Sequence, residues 1–150
     1  MSKEAAMSIE AAKVIDVVGG ERLIGRTVRS TGDLIAAVRA GLPASTVQYV
    51  VDAGRMSLME VDFAVMPRKT LTRRAKSGML TAEQSDRLVR VARVIALAEE
   101  VFGSQEKAGI WLRRETGPLG GVSPMSLLDT TEGAVQVEHL LNRIAYGIAA

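Results

Sequence analysis

The chain has 150 residues, of which 47% are apolar, 24% charged and only 3% aromatic. That length provides a real core for one domain or two small intertwined lobes, and the balance excludes a disordered chain. Cysteine is absent, which excludes a disulfide framework, a thiol nucleophile and a Cys-type zinc site, and the net charge is only +2.

The scarcity of aromatics leaves the core to Leu, Ile, Val, Ala and Met, which suits packed helices better than a β-sandwich. In chain order, Ser8 is a candidate cap for a first helix through Asp16, stopped by Gly19 and Gly20. ERLIGRTVRS reads equally as loop or as a short helical turn. Thr31 is the expected cap of a helix carrying Leu34, Ile35 and Val38 to Gly41; Pro43 is expected in the first turn of the next, running to Ala53 with Val47, Val50 and Val51 inward. Ser57 and Glu60 form a capping box for a short helix bearing Leu58, Val61 and Phe63. Pro67 restarts a helix, PRKTLTRRAKS, that Gly78 stops. Thr81 and Gln84 make a second capping box for a long helix through Val101, whose apolar stripe is broad enough for burial on several sides. Ser104 caps a helix carrying Ile110, Trp111 and Leu112. After the loop TGPLGGVSP, one turn holds Leu127 and Leu128, and Thr131 opens a last helix striped by Ala134, Val137, Leu141, Ile144 and Ile148. The fold class expected is all-α.

Charge is distributed unevenly. Residues 67–98 hold eight basic and two acidic residues, whereas 1–66 hold seven and eight, and 99–150 hold four and seven. A basic centre between neutral and acidic flanks points to a local polyanion contact. Two short helices joined by a tight turn, the second rich in cations and hydroxyls, form a helix-turn-helix pattern whose second helix reads the major groove. Arg68, Lys69, Thr70, Arg73, Arg74 and Lys76 are the candidate DNA contacts, with Leu71 and Ala75 facing back onto the first helix. A merely solvated basic face is the competing reading, as it is for Arg87, Arg90 and Arg93 on the following helix.

No catalytic set is legible, and no cofactor or metal site is expected. His139 is the only histidine and lies beside the apolar stripe of the last helix. Glu99 and Glu100 are adjacent, splay about 100° apart on a helix, and read as solvent-facing charges near its end. Gly120 and Gly121 read as a turn. Glu4 and Glu10 interrupt the N-terminus, and no run of 18 apolar residues occurs, so a cytoplasmic protein without membrane contact is expected.

Val101, Phe102, Gly103, Ala108, Trp111 and Leu112, then LGGVSP (119–124), Leu127, Leu128, Thr130, Gly133, Val137, Leu141, Ile144, Gly147 and Ile148 form an ordered pattern. It resembles the toxin-binding domain of the Xre/MbcA/ParS antitoxins; VVGGERLIGRTVRS, AGLPAS and PRKTLTRRAKSGMLTAEQSDRL resemble their N-terminal Xre-type region. The resemblance implies a helix-turn-helix (Xre-like) DNA-binding and dimerisation region over 1–98 and a helical toxin-binding domain over 99–150. It implies a type II antitoxin that blocks the NAD pocket of a RES-domain toxin, self-associates as a homodimer, assembles further with toxin, and represses its operon through operator DNA. Trp111, Arg143, Tyr146, Gly147, Ile148 and Ala150 are the toxin contacts expected, the slim C-terminal tip entering the pocket. By its residue type alone Trp111 reads first as packing on the last helix and only then as an interface anchor, and the tip reads also as a frayed end. The alternative for the whole chain is a stand-alone helix-turn-helix regulator whose C-terminal half only dimerises, or an adaptor. The family often places glycine in the turn before the second helix. Val65 stands there in this chain, and a β-branched residue tolerates positive φ poorly, so another turn shape is expected.

Overall fold

Side-chain caps decide where most helices begin, because a hydroxyl that accepts a backbone N–H satisfies a donor the first turn leaves orphaned. In the computed structural model, which describes residues 9–147, the helices are α1 (Ala11–Val17), α2 (Gly20–Ile24), α3 (Thr31–Ala40), α4 (Ser45–Asp52), α5 (Leu58–Ala64), α6 (Arg68–Ser77), α7 (Ala82–Phe102), α8 (Gln105–Arg113) and α9 (Thr131–Ala145). Short 3-10 turns span Gly117–Leu119 and Pro124–Leu127, and no strand occurs among the described residues. The fold is all-α. The expected Ser8 cap, Ile148 and Ala150 lie outside the described residues.

Both capping boxes form, at Ser57/Glu60 and Thr81/Gln84. One other cap sits one residue earlier than expected: Ser30, not Thr31, accepts the Asp33 N–H. The last helix begins at Thr131 as expected, with Thr130 before it accepting the Gly133 N–H. In each pair the earlier hydroxyl residue has the extended backbone a cap requires. Pro43 lies before α4 rather than inside it. Its carbonyl instead accepts the buried Thr46 hydroxyl at 2.6 Å, and its backbone bridges Met79.

The central element is α7. It buries Leu88, Val91, Val94, Ile95 and Ala98 among others, and packs against α1, α3, α5, α8 and α9. Each fully buried Leu, Ile or Val contributes about 1.5–3 kcal/mol, and the interspersed alanines let neighbouring helices approach closely. Residue pair 98/99, the expected division between two regions, lies within this continuous helix.

A backbone clasp fixes the end of α6. Ala44 N–H donates to the Gly78 carbonyl at 2.9 Å and Leu80 N–H to that of Leu42 at 2.8 Å. The Leu42 N–H in turn donates to buried Ser85 Oγ on α7 at 2.8 Å. Gly41 makes this approach possible: at φ +88° a side chain is strained, and a Cβ would collide with the Leu80 carbonyl.

Candidate functional site

The helix pair α5–α6 forms the first candidate surface. Glu60 N–H donates to Ser57 Oγ at 3.1 Å, and Ser57 N–H donates back to Glu60 Oε1 at 2.9 Å. Val61 and Ala64 face the core, whereas Leu58, Met59 and Phe63 are exposed. Val65 adopts φ −115° and ψ −61°, with its side chain buried. Both Val65 and Met66 N–H groups donate to the Val61 carbonyl, at 2.8 and 3.0 Å. The turn therefore closes without a left-handed residue, and Val65 and Met66 become core.

Pro67 is the N-cap of α6, a helix with no fully buried residue. Leu71 is half-buried against the core; Ala75, expected on the same inner face, is exposed. The place one turn beyond Leu71 is taken by Arg74, half-buried, whose Nε donates to the Met79 carbonyl at 2.8 Å. Arg74 is thus partly committed to holding the α6–α7 turn. Arg73 reaches Thr70 Oγ1 at 3.4 Å, while the exposed Arg68, Lys69 and Lys76 side chains have no partner among the described residues. There is no acid in the first turn. Cations there oppose the helix dipole, an arrangement that costs stability until an anion binds between them.

The second surface is the outer face of α9. Gly133, Ala134, Val137, Leu140 and Leu141 are buried toward α7, leaving Val135, His139, Arg143 and Tyr146 exposed at helical spacing. Arg143, Tyr146 and Gly147 cluster at its C-terminal end, where Tyr146 is the C-cap. Trp111 belongs to α8. Its half-buried ring lies 5.4 Å from that of Phe102, tilted by 40°. Glu138 sits between the two faces; burial pushes its carboxyl up, and the charges of Arg93 and His139 offset this only in part. Gly120 and Gly121 form a turn closed by Gly121 N–H donating to the Thr116 carbonyl at 2.9 Å.

Several residues read from sequence as wet charges hold the molecule together. Arg90 donates to the carbonyls of Leu128 and Asp129, at 3.2 and 3.1 Å, just before α9. Glu99 does not face solvent. Its carboxylate takes a bidentate pair of bonds from Arg55, at 2.8 and 3.0 Å, and both side chains are less than one-fifth exposed. Its neighbour Glu100 pairs with Lys13 at 3.0 Å. Arg113 forks onto Glu60 at 2.9 and 2.8 Å. Burial raises the Glu60 carboxyl, but Arg113 and the Ser57 N–H outweigh it and hold the group below the usual carboxylate range. Sequence reasoning identified Glu60 as a cap but carried no signal for the distant arginine. Among the described residues there is no group of three or more acids or histidines that could hold a metal ion, and no helix long and apolar enough to cross a membrane.

Comparison with known proteins matches two stretches of the chain to named domains. Residues 33–93 match the antitoxin Xre-like helix-turn-helix domain, and residues 97–147 match the antitoxin Xre/MbcA/ParS C-terminal toxin-binding domain. The chain is 37% identical to antitoxin Xre of Pseudomonas putida over 108 residues, covering 71% of this chain and 67% of that one. It is 32% identical to antitoxin Xre of Photorhabdus laumondii over 133 residues, covering 86% and 89%. It is 30% identical over 130 residues to the Prs ADP-ribosylating antitoxin of a Sphingobium species, covering 79% and 81%. With an Xre-like helix pair in the first part and a toxin-binding domain carrying the exposed α9 face in the second, the chain belongs to the Xre/MbcA/ParS family and is the antitoxin of a toxin–antitoxin system.

Proposed function

We propose that the chain neutralises a RES-domain toxin by seating the C-terminal end of α9 in the toxin's NAD pocket, and that α6 binds operator DNA to repress the operon. The observation that carries the first part is the exposed outer face of α9, with Arg143, Tyr146 and Gly147 at its end, inside the residues matched by the toxin-binding domain. A phenol there suits a pocket shaped for a dinucleotide, where its ring can take the place of the adenine, and a guanidinium beside it can pair with a carboxylate at the pocket rim. Support for NAD chemistry in the partner comes from the Sphingobium relative, whose name refers to ADP-ribosylation, a transfer that uses NAD as donor. The antitoxin itself acts by shape and charge.

Support for operator binding is the exposed row of Arg68, Lys69, Arg73 and Lys76 on a helix with no acid in its first turn. Two copies presenting α6 to adjacent half-sites would make a palindromic operator the natural ligand. Residues 1–98 then serve DNA and self-association, and 99–150 serve the toxin.

Co-expression with the product of the adjacent gene tests the proposal. The neighbour alone is expected to be toxic and to deplete NAD. Deleting residues 146–150 is expected to restore that toxicity while thermal unfolding of the antitoxin stays unchanged. Replacing Arg68 and Arg73 with Ala is expected to abolish operator shift and spare neutralisation. Each phosphate contact removed lowers the salt slope by about 0.9. A truncated chain that still neutralises fully would refute the pocket-blocking mode.

A further inference from the structure

We propose that Arg113, in the toxin-binding half, is a positioning residue for the DNA-binding helix pair, acting through Glu60. The proposal rests on operator binding by α6, as proposed above. α6 has no fully buried residue, so its orientation is inherited from what it leans on: the core through Leu71, α5 through the Val65–Pro67 turn, and the 42–44 clasp at its other end. The clasp is backbone and is anchored to α7. The α5 end is held by its buried Val61, Ala64, Val65 and Met66 and by the Arg55–Glu99 pair with α7, and in addition by polar bonds from α8.

Four such bonds converge on the start of α5 and the loop before it. The Arg113 guanidinium forks onto both oxygens of Glu60 and also donates to the Arg55 carbonyl at 3.3 Å. Gln105, at the start of α8, donates to the Ala53 carbonyl at 2.6 Å. Glu60 is the node, because the same carboxylate caps the Ser57 N–H. Its side chain is 18% exposed and that of Arg113 39%, so the pair is partly shielded from screening. The node has an electrostatic consequence as well. The first helix of such a pair crosses the DNA backbone, and here it carries Glu60 and Asp62. Arg113 neutralises one of those two acids, so the C-terminal half supplies the counter-charge at this position.

The two functions are separable at this node by chemistry. Glu60→Gln retains the capping box, since Gln serves that role as Glu does, yet loses the ion pair. Arg113→Met retains the stem and loses the fork. The full-length chain is titrated onto a duplex from the region upstream of its own gene, with and without the adjacent gene's product. Both variants are expected to bind that duplex roughly fivefold more weakly, as suits a half-exposed bidentate pair. The double variant is expected to be no weaker than either single one, and Glu60→Gln is expected to neutralise the toxin fully. The toxin is expected to change the operator affinity of the wild-type chain, through its hold on the domain containing α8, and to leave that of the variants unchanged. A purely structural role would lower thermal stability without altering that toxin effect.

Wild-type affinity and an undiminished toxin effect in Glu60→Gln, in a preparation where Arg73→Ala loses binding, would overturn the positioning role and leave operator binding intact. Losses that simply multiply in the double variant would also overturn it. A wild-type chain that ignores the duplex with and without toxin would instead remove operator binding itself, and this inference with it.

Discussion

Substituting Gly133 by Ala should loosen α9, the helix proposed to meet the toxin, and the structure shows the obstacle that sets the size of the effect. Gly133 lies in the first turn of α9, where its N–H donates to Thr130 Oγ1 at 3.0 Å. A Cβ built there collides with the Leu127 carbonyl oxygen and comes within 2.9 Å of the carbonyl carbon and 3.0 Å of Leu127 Cβ. The obstacle is backbone, so no rotamer relieves it. Either the Pro124–Leu127 turn moves, or α9 lifts from α7 and loosens the packing of Ala134, Val137, Leu140 and Leu141. Overpacking of this kind costs about 1–3 kcal/mol and more where backbone shifts; the better helix propensity of Ala returns about 1 kcal/mol. A net loss of about 2 kcal/mol lowers the thermal midpoint by roughly 4–8 °C in a chain of this size. Gly32→Ala is the matched control. Its added Cβ meets only Ser30 Oγ, at 3.7 Å on the exposed face of α3, so the midpoint should hold or rise. Circular dichroism melts, followed by neutralisation of the co-expressed toxin at a temperature between the two midpoints, measure both consequences. A Gly133→Ala protein that melts at or above the wild-type temperature would refute the reasoning.

Three further outcomes are expected. Arg90→Met strands the carbonyls of Leu128 and Asp129 and should cost about 1–3 kcal/mol, read as a lower urea midpoint; an unchanged midpoint would mean water replaces the guanidinium at no cost. Leu71→Ala removes half-buried contact worth about 1–2 kcal/mol and should expose α6 amides to fast hydrogen exchange while α9 amides stay protected; uniform protection would show α6 held by the clasp alone. Glu138 binds its proton more readily when folded, because burial outweighs Arg93 and His139. Stability should therefore fall as pH rises through the window between the ordinary glutamate value and the raised folded one. Glu138→Gln should melt above wild type at pH 7, with the gap closing below about pH 4; a gap that widens in acid would reverse the sign.

The helix starts and the basic helix were legible because their determinants lie within three or four residues along the chain. Ser57 with Glu60, Thr81 with Gln84 and the Ser104 cap satisfy their own first turns, and Gly78 ends α6 in the left-handed conformation that glycine permits. The same locality misplaced the cap at Thr31, where Ser30 beside it competes and only backbone conformation chooses. The ordered pattern from Val101 to Ile148 likewise carried the family by itself.

What the linear pattern left open was the use to which each charge is put. Arg73 and Arg74 are indistinguishable as letters. Tertiary packing turns Arg74 onto the Met79 carbonyl and puts Ala75 in solvent, because the clasp at 42–44 sets how α6 rolls against the body. By spacing, Glu99 is an ordinary surface acid and Glu60 is a cap and nothing more. Their arginines lie 44 and 53 residues away, and only the packing of α7 and α8 beside the start of α5 brings each guanidinium within 3 Å of its carboxylate. Capping and turn rules act over a few residues, so composition and order sufficed to determine them; partnership through space depends on how helices dock, and that the folded chain alone decided.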